Sequence, residues 1–374
     1  MESNRSVYQG CLLGLAVGDA MGCVVDGKTY AEICRDYGPN GLLGYDLVNG
    51  YADVSSHTQI AAFACNGLLL GITRGQSYGR MQPFIRYIAL ALREWAQTQH
   101  YVRDPAKRLC WVCQVEELRR RRCLDPWLPE LLGRDKLGTP EEPVSRLSTP
   151  GAICAAVPVG LFFFPERMRV GEIGRLGAEA VALTHGDPTA FLSGAALAYM
   201  AAGIVQDRPT PLSSQFSQAA DAVEAQFGRE YAQAGEVRSL ILRAVALAGD
   251  PPESHVEAME RLECNTAAQV LAGAVYACLA SGEDFDTAMI IAVNHSGRSA
   301  AVGAVTGALL GAWLGQEALP EFYLECLEPR AALEELAEDL SQGCPMGLMS
   351  RLFDHDWDRK YTQGERVEKD GWAE

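Results

Sequence analysis

The chain has 374 residues, 48% of them hydrophobic and 21% charged, a composition that excludes a disordered polymer and fits a folded globular protein. Its formal charge of −16 sets most of the surface against nucleic acid and anionic membranes, and favours solubility. The length allows one large domain or two ordinary ones.

The first ten residues, MESNRSVYQG, have no basic stretch leading into an apolar one, so no secretory signal is expected. Twelve cysteines in a chain without such a signal read as reduced thiols of a cytoplasmic protein. Residues 10–23 are small and apolar, interrupted by Asp19. Residues 59–71 (QIAAFACNGLLLG) are apolar at helical spacing, and residues 84–97 mix apolar and charged positions as an amphipathic helix does. Residues 190–205, 267–280 and 300–313 are long and Ala-rich, without the β-branched alternation of strands. Pro329 is placed to start a helix that runs to Gln342 and closes before Gly343-Cys344-Pro345.

Four uncharged runs, 54–73, 147–165, 188–206 and 299–316, approach the length of a membrane span. Each is broken by polar residues, Gly or Pro, so buried helices with close backbone approach are expected in place of spans. Turn signals fall at 37–41, 137–140, 209–211 and 251–252, none long enough for a domain linker. A single mainly helical domain over residues 1–362 is expected, followed by a polar tail, 363–374.

Three segments carry a family resemblance. The first is Gly10-Cys-Leu-Leu-Gly-Leu-Ala-Val-Gly-Asp-Ala-Met-Gly22, followed by Tyr37-Gly-Pro-Asn-Gly41. The second is Ala182-Leu-Thr-His-Gly-Asp-Pro188. The third is Ala292-Val-Asn-His-Ser-Gly297, which leads into the Gly/Ala stretch 302–312. In this order they resemble the ADP-ribosylglycohydrolase family of the dinitrogenase-reductase-activating type, with its GxLxGxAxGDAxG, ALTH-x-x-P and AVNxGGDTDT patterns. The resemblance implies an all-α, orthogonal multi-helix bundle with a central cleft for ADP-ribose.

It also implies two Mg²⁺ ions held between a Thr-Asp-Asp-Thr segment and an Asp-x-Asp-Thr segment. Here the first aligns with Ser55-Ser56-His57-Thr58 and the second with Arg298-Ser299-Ala300-Ala301. Hard divalent cations need oxygen ligands with carboxylate charge, and all four aspartates are replaced. The Mg²⁺ site is therefore expected to be absent and no cofactor is expected, although Asp26 and Asp53 lie near enough in sequence to be checked. A related run that helps line the family's cleft, of Asn-Gly-Ser-x-Met-Arg type, aligns here with the less polar 150–155, PGAICA.

The site residues the resemblance points to each have a plainer reading. Asp26 is a candidate base or ribose ligand, or a loop aspartate. Asp19 is expected to fix local structure through backbone hydrogen bonds. Ser55, Ser56 and His57 are candidate ligand-binding residues, while Ser56 and Gln59 also have capping-box spacing. His57 is a possible acid or base, or an exposed helix-start histidine. Arg298, with Asn294 just ahead of it, is placed either to cradle an anion at a helix N-terminus or to pair with Asp26 or Asp53. His185 lies beside the cleft or stabilises a helix start. Cys110 and Cys113 have a metal-like spacing but no second pair, so buried thiols are expected. Arg119 to Arg122 read as a solvated basic face. The expected function is binding of ADP-ribose or a related nucleotide without Mg²⁺-dependent hydrolysis. The alternative is a metal-independent glycohydrolase with Asp26 as base and Arg298 as electrostatic stabiliser.

Overall fold

The structure, a computed structural model, describes residues 2–99 (the first three by backbone alone), 108–162, 169–250, 252–346 and 353–366. Among the described residues the fold is all-α, with no strand and only two isolated bridges, Val48 to Tyr51 and Ala52 to Leu327. The helices of the N-terminal part are α1 (Glu2–Cys23), α2 (Tyr30–Tyr37), α3 (Ser56–Tyr78), α4 (Phe84–Gln99), α5 (Glu116–Arg119), α6 (Trp127–Leu132) and α7 (Val157–Leu161). The middle of the chain forms α8 (Val170–Ala182), α9 (Pro188–Gln206), α10 (Leu212–Phe227), α11 (Gln233–Gly249), α12 (His255–Leu262) and α13 (Ala267–Ala280). The last part adds α14 (Phe285–Val293), α15 (Ser299–Leu314), α16 (Glu321–Glu325), α17 (Arg330–Gln342) and α18 (His355–Gln363).

Local chemistry marks many of these starts. Asp187 caps α9, accepting from the Thr189 amide, with Pro188 at the first helical position. Thr266 and Gln269 form a reciprocal capping box on α13, as Thr29 and Glu32 do on α2. The interior is one continuous apolar cluster that reaches from Val7 to Tyr361.

The centre of the architecture is the antiparallel pair α1 and α15. Gly10, Gly14 and Gly18 face Gly311, Gly307 and Gly303 in register, and Gly22 faces Ser299. A Cβ on any of these four α1 glycines would overlap a backbone carbonyl of α15. With no side chains between them the two backbones lie in van der Waals contact, which a four-residue spacing of glycines permits on both helices. This contact sets the C-terminal end of α1 against the N-terminal end of α15, where the candidate site lies.

One described helix, Pro188–Gln206, is long and apolar enough to cross a membrane by length and composition, and 78% of its apolar window is buried inside the protein. Residues 54–73 and 299–316 fall largely within buried α3 and α15. At the far end, α18 is clasped by buried polar contacts. Lys360 pairs with Asp339 and Glu335, Tyr361 Oη donates to Asp339 at 2.5 Å, and Trp357 Nε1 donates to Thr73 at 2.9 Å. Of the expected polar tail, residues 363–366 are described and 367–374 lie outside the described residues.

Candidate functional site

Asp19 sits near the C-terminal end of α1 and is completely buried. A buried carboxylate needs several donors, and Asp19 has four. Its Oδ2 accepts from the Ser55 amide at 2.9 Å, the Thr58 amide at 3.0 Å and Thr58 Oγ1 at 2.6 Å, and its Oδ1 accepts from Ser55 Oγ at 2.5 Å. Asp19 therefore caps α3, and the positive end of that helix dipole faces it.

The cap residue is Ser55, whose Oγ accepts from the His57 amide at 3.2 Å, so the Ser56–Gln59 capping box expected from spacing does not form. Ser56 Oγ accepts instead from the Leu124 amide. Gln59 reaches sideways, accepting from Trp95 Nε1 at 2.9 Å and donating to the carbonyls of Glu117 and Arg120. Tertiary partners outcompete the local motif here.

Asp26 lies in the turn after α1. Its Oδ1 accepts from the Ala300 amide at 3.1 Å, and its Oδ2 lies 3.5 Å from Nε of Arg298, the residue that precedes α15. Asp26 thus fills the anion position at the N-terminus of α15, and of the two partners considered for Arg298 it is Asp26 that is paired. Asp53 is held by a different guanidinium, Arg122, at 3.1 Å, while Arg122 also meets Glu328 at 2.6 Å. Burial raises the Asp53 pKa against the opposing pull of Arg122. Arg120 pairs with Glu328 and Glu116, so of the expected solvated basic face Arg119 and Arg121 are exposed, while Arg120 and Arg122 are ion-paired. Cys110 and Cys113 are buried thiols, as expected.

His57 is 1% exposed and its Nδ1 has no hydrogen-bond partner, which corrects the reading of an exposed helix-start histidine. Burial lowers its pKa. Asp19, Asp26 and Asp125 pull the other way, and Arg298 adds to the lowering. The imidazole is consequently neutral near neutral pH. Ser299 Oγ, fully buried in the first turn of α15, also lacks a partner.

Asn294 is consumed by structure. Its Oδ1 accepts from the Leu42 amide at 2.7 Å and its Nδ2 donates to the carbonyls of Leu42 and Ile290, both at 2.8 Å. Gly41 makes room for it: φ is +74°, and a Cβ would collide with the Asn294 amide. His185 is fully buried, with Nε2 3.0 Å from Thr149 Oγ1 and Nδ1 2.8 Å from Thr184 Oγ1. Thr149 Oγ1 donates to Asp125 Oδ2 at 2.9 Å, and that oxygen is 3.6 Å from His185 Nε2. Burial raises the Asp125 pKa, but the bonds from His185 and Thr149 outweigh it and leave the carboxyl below its ordinary value.

Asp26, Ser55, Ser56, His57 and Arg298 therefore meet around the starts of α3 and α15. His185 reaches the same region through Asp125, which bears electrostatically on His57. Asp125 and Thr149 belong to no motif that the sequence offers. The one local signal is the Asp-Pro-Trp step that begins α6, where Asp125 Oδ1 accepts from the Trp127 amide. Among the described residues no three His, Cys, Asp or Glu side chains are grouped to hold a metal ion. Two cavities, of about 520 Å³ beside Arg119 and Gly364 and about 380 Å³ beside Arg93 and Gly133, include none of these site residues.

A family model described as ADP-ribosylglycohydrolase matches residues 1–347. Among solved structures, one titled "ADP-ribosylglycohydrolase-related protein complex" is similar, with a TM-score of 0.56 and 23% identity, over 91% of this chain and 99% of that one. At that identity the likeness concerns the fold. No curated protein sequence matches.

Proposed function

We infer the function from one premise: the chain belongs to the ADP-ribosylglycohydrolase family, whose model matches it over residues 1–347. On that premise we propose that the site around α3 and α15 binds ADP-ribose or a related nucleotide without Mg²⁺-dependent hydrolysis. The observation that carries this reading is the state of the carboxylates. Asp19 is saturated by four donors, Asp26 is shared between the Ala300 amide and Arg298, and Asp53 is paired with Arg122.

Mg²⁺ asks for near-octahedral oxygen ligands and carboxylate charge. The segments that would supply them offer Ser55 and Thr58, whose hydroxyl protons point at Asp19, Ser56, whose hydroxyl accepts from the Leu124 amide, and Ser299, together with His57, Arg298 and two alanines, and not one carboxylate. These residues do not fit the family's two ions, and we assign them no metal.

A second reading has its own support. The part-buried Thr149 bridges the buried Asp125 and His185, and Asp125 bears electrostatically on His57, groups of the kind that move protons in hydrolysis. It favours a metal-independent glycohydrolase in which Asp125 and His185 take the acid–base roles. Asp26, both of whose oxygens are engaged, is then a poorer base than its sequence position suggests. Calorimetric titration with ADP-ribose in Mg²⁺ and in EDTA, with product analysis of each sample, decides. Equal binding in both without product supports the first reading. Product formed in EDTA supports the second, and no binding in either condition refutes both.

A further inference from the structure

We propose that Arg298 is the resident cation of this site, a positioning residue that compensates Asp26 in place of a bound ion and keeps divalent cations out while its charge is there. The inference rests on the metal-free reading above and adds a cause to it.

Three carboxylates, Asp19, Asp26 and Asp53, lie near Cys23 at the C-terminal end of α1, the negative pole of that helix, without being grouped as metal ligands. Each is compensated by a different device. Asp19 takes four hydrogen bonds, Asp53 takes Arg122, and Asp26 takes one amide of α15 together with Arg298. The Asp26 side chain is 9% exposed, so its charge cannot be left to solvent.

Asp19, Asp26 and Asp125 pull the His57 pKa up, and Arg298 pushes it down. His57 adds no positive charge, because burial keeps it neutral. Its Nδ1 and the Ser299 Oγ are both unpartnered and more than nine-tenths buried, so this corner holds spare polar atoms beside the carboxylates. Without the guanidinium Asp26 keeps one amide bond and no cation, while Asp19, Asp53 and Asp125 keep their own partners. A carboxylate left so takes up either a proton or a cation.

The pairing is also separable from the fold. Arg298 Nε is 3.5 Å from Asp26 and makes no hydrogen bond, and the side chain is 29% exposed. Its charge is used more than its geometry, so a lysine at this position should serve.

The test is thermal unfolding of the full chain in EDTA and in millimolar Mn²⁺ or Mg²⁺ at matched ionic strength. The wild type, Arg298→Ala, Arg298→Lys and the double variant Asp26→Asn/Arg298→Ala are compared. The wild type is expected to melt at the same temperature with and without cation. Arg298→Ala is expected to melt several degrees lower in EDTA and to regain at least half of that loss with Mn²⁺. Arg298→Lys and the double variant should ignore the cation. A wild type that responds as strongly as Arg298→Ala, or an Arg298→Ala that responds to neither ion, overturns the proposal. If Arg298→Ala does not fold in EDTA, Arg298→Lys decides: it must fold and stay insensitive, and failure on either count overturns the proposal. Titration of the wild type with ADP-ribose is run alongside. Its failure would remove the nucleotide-binding reading and leave the cation result standing.

Discussion

Gly14 lies so close to Gly307 that a methyl group on its Cα would overlap the Gly307 carbonyl oxygen. Both atoms belong to regular helices held on each side by further glycine pairs, so neither backbone can retreat without breaking the contacts above and below. Gly14→Ala should therefore destabilise the protein by roughly 3 kcal/mol or more, the cost of overpacking a rigid contact. Gly235→Ala in α11, whose nearest neighbour is the flexible Glu224 carboxylate at 3.6 Å, should instead be neutral or gain about 0.5–1 kcal/mol. Urea unfolding of the two variants checks this. Equal effects would mean that the α1–α15 contact is not tight.

Asp19→Asn tests whether the carboxylate is a structural clamp. The asparagine oxygen can accept at most about two of the four present bonds, and its amide group would then face hydroxyls and amides that themselves need acceptors. A loss of about 2–4 kcal/mol in unfolding free energy is expected, since buried donors are left unsatisfied. A smaller loss than one ordinary hydrogen bond, about 1 kcal/mol, would show that water replaces the clamp and that this corner is wetter than it looks.

The contrast between these two places shows what the sequence could reveal. Ala/Gly-rich helices are legible because composition and periodicity agree: residues 267–280 are helical over the span expected, and α4, α9, α15 and α17 begin and end within two residues of their predicted limits. Helix α1 starts eight residues before the apolar segment, because its first turns are polar and carry no period. The turns after α1 and before α15 point to Asp26 and Arg298 through the family motif, but whether those two meet is a tertiary fact. Asp125 and Thr149 come from irregular segments with no periodic or spacing signal, and only packing brings them to His185. Asn294 matches the motif, yet the structure spends all its hydrogen bonds on Leu42 and Ile290, which no local pattern could indicate.

His57 should leave a signature in the pH dependence of stability. Its pKa is lowered in the folded state, chiefly by burial and further by Arg298, against the pull of Asp19, Asp26 and Asp125. In the unfolded chain it titrates near the ordinary value of about 6.5. Between the depressed folded value and about 6.5 the unfolded chain binds a proton that the folded chain does not, so stability rises with pH through this window and levels off above it. The wild type should therefore lose stability as pH falls below about 6.5, and His57→Gln should lose less over the same interval. His295, also buried and lowered in pKa by burial, contributes in the same direction and remains in both proteins, so the difference between the two curves isolates His57. Parallel curves would show that His57 is not held neutral by burial.

Rebuilding one half of the family's metal segment should not restore its reaction. Arg298→Asp with Ala300→Asp places two carboxylates at the start of α15 beside Asp26 and removes the guanidinium that now compensates it. A cation would be drawn in, because three carboxylates then crowd one helix N-terminus. The facing segment would still offer Ser55 and Thr58, whose hydroxyls are committed to Asp19, and the neutral His57. Hard divalent ions need about six oxygen ligands, with carboxylates on enough of them to offset dehydration, and one segment cannot provide that for two ions. The double variant is therefore expected to bind Mg²⁺ weakly and to release no ADP-ribose from an ADP-ribosylated substrate above the wild-type background. Adding Ser56→Asp and His57→Asp is the step at which Mg²⁺-dependent release could first appear. Chromatographic assay of all three proteins with and without EDTA separates the cases. Turnover by Arg298→Asp/Ala300→Asp alone would mean that the first segment still holds a working half of the site, contrary to the hydrogen bonds that tie it to Asp19.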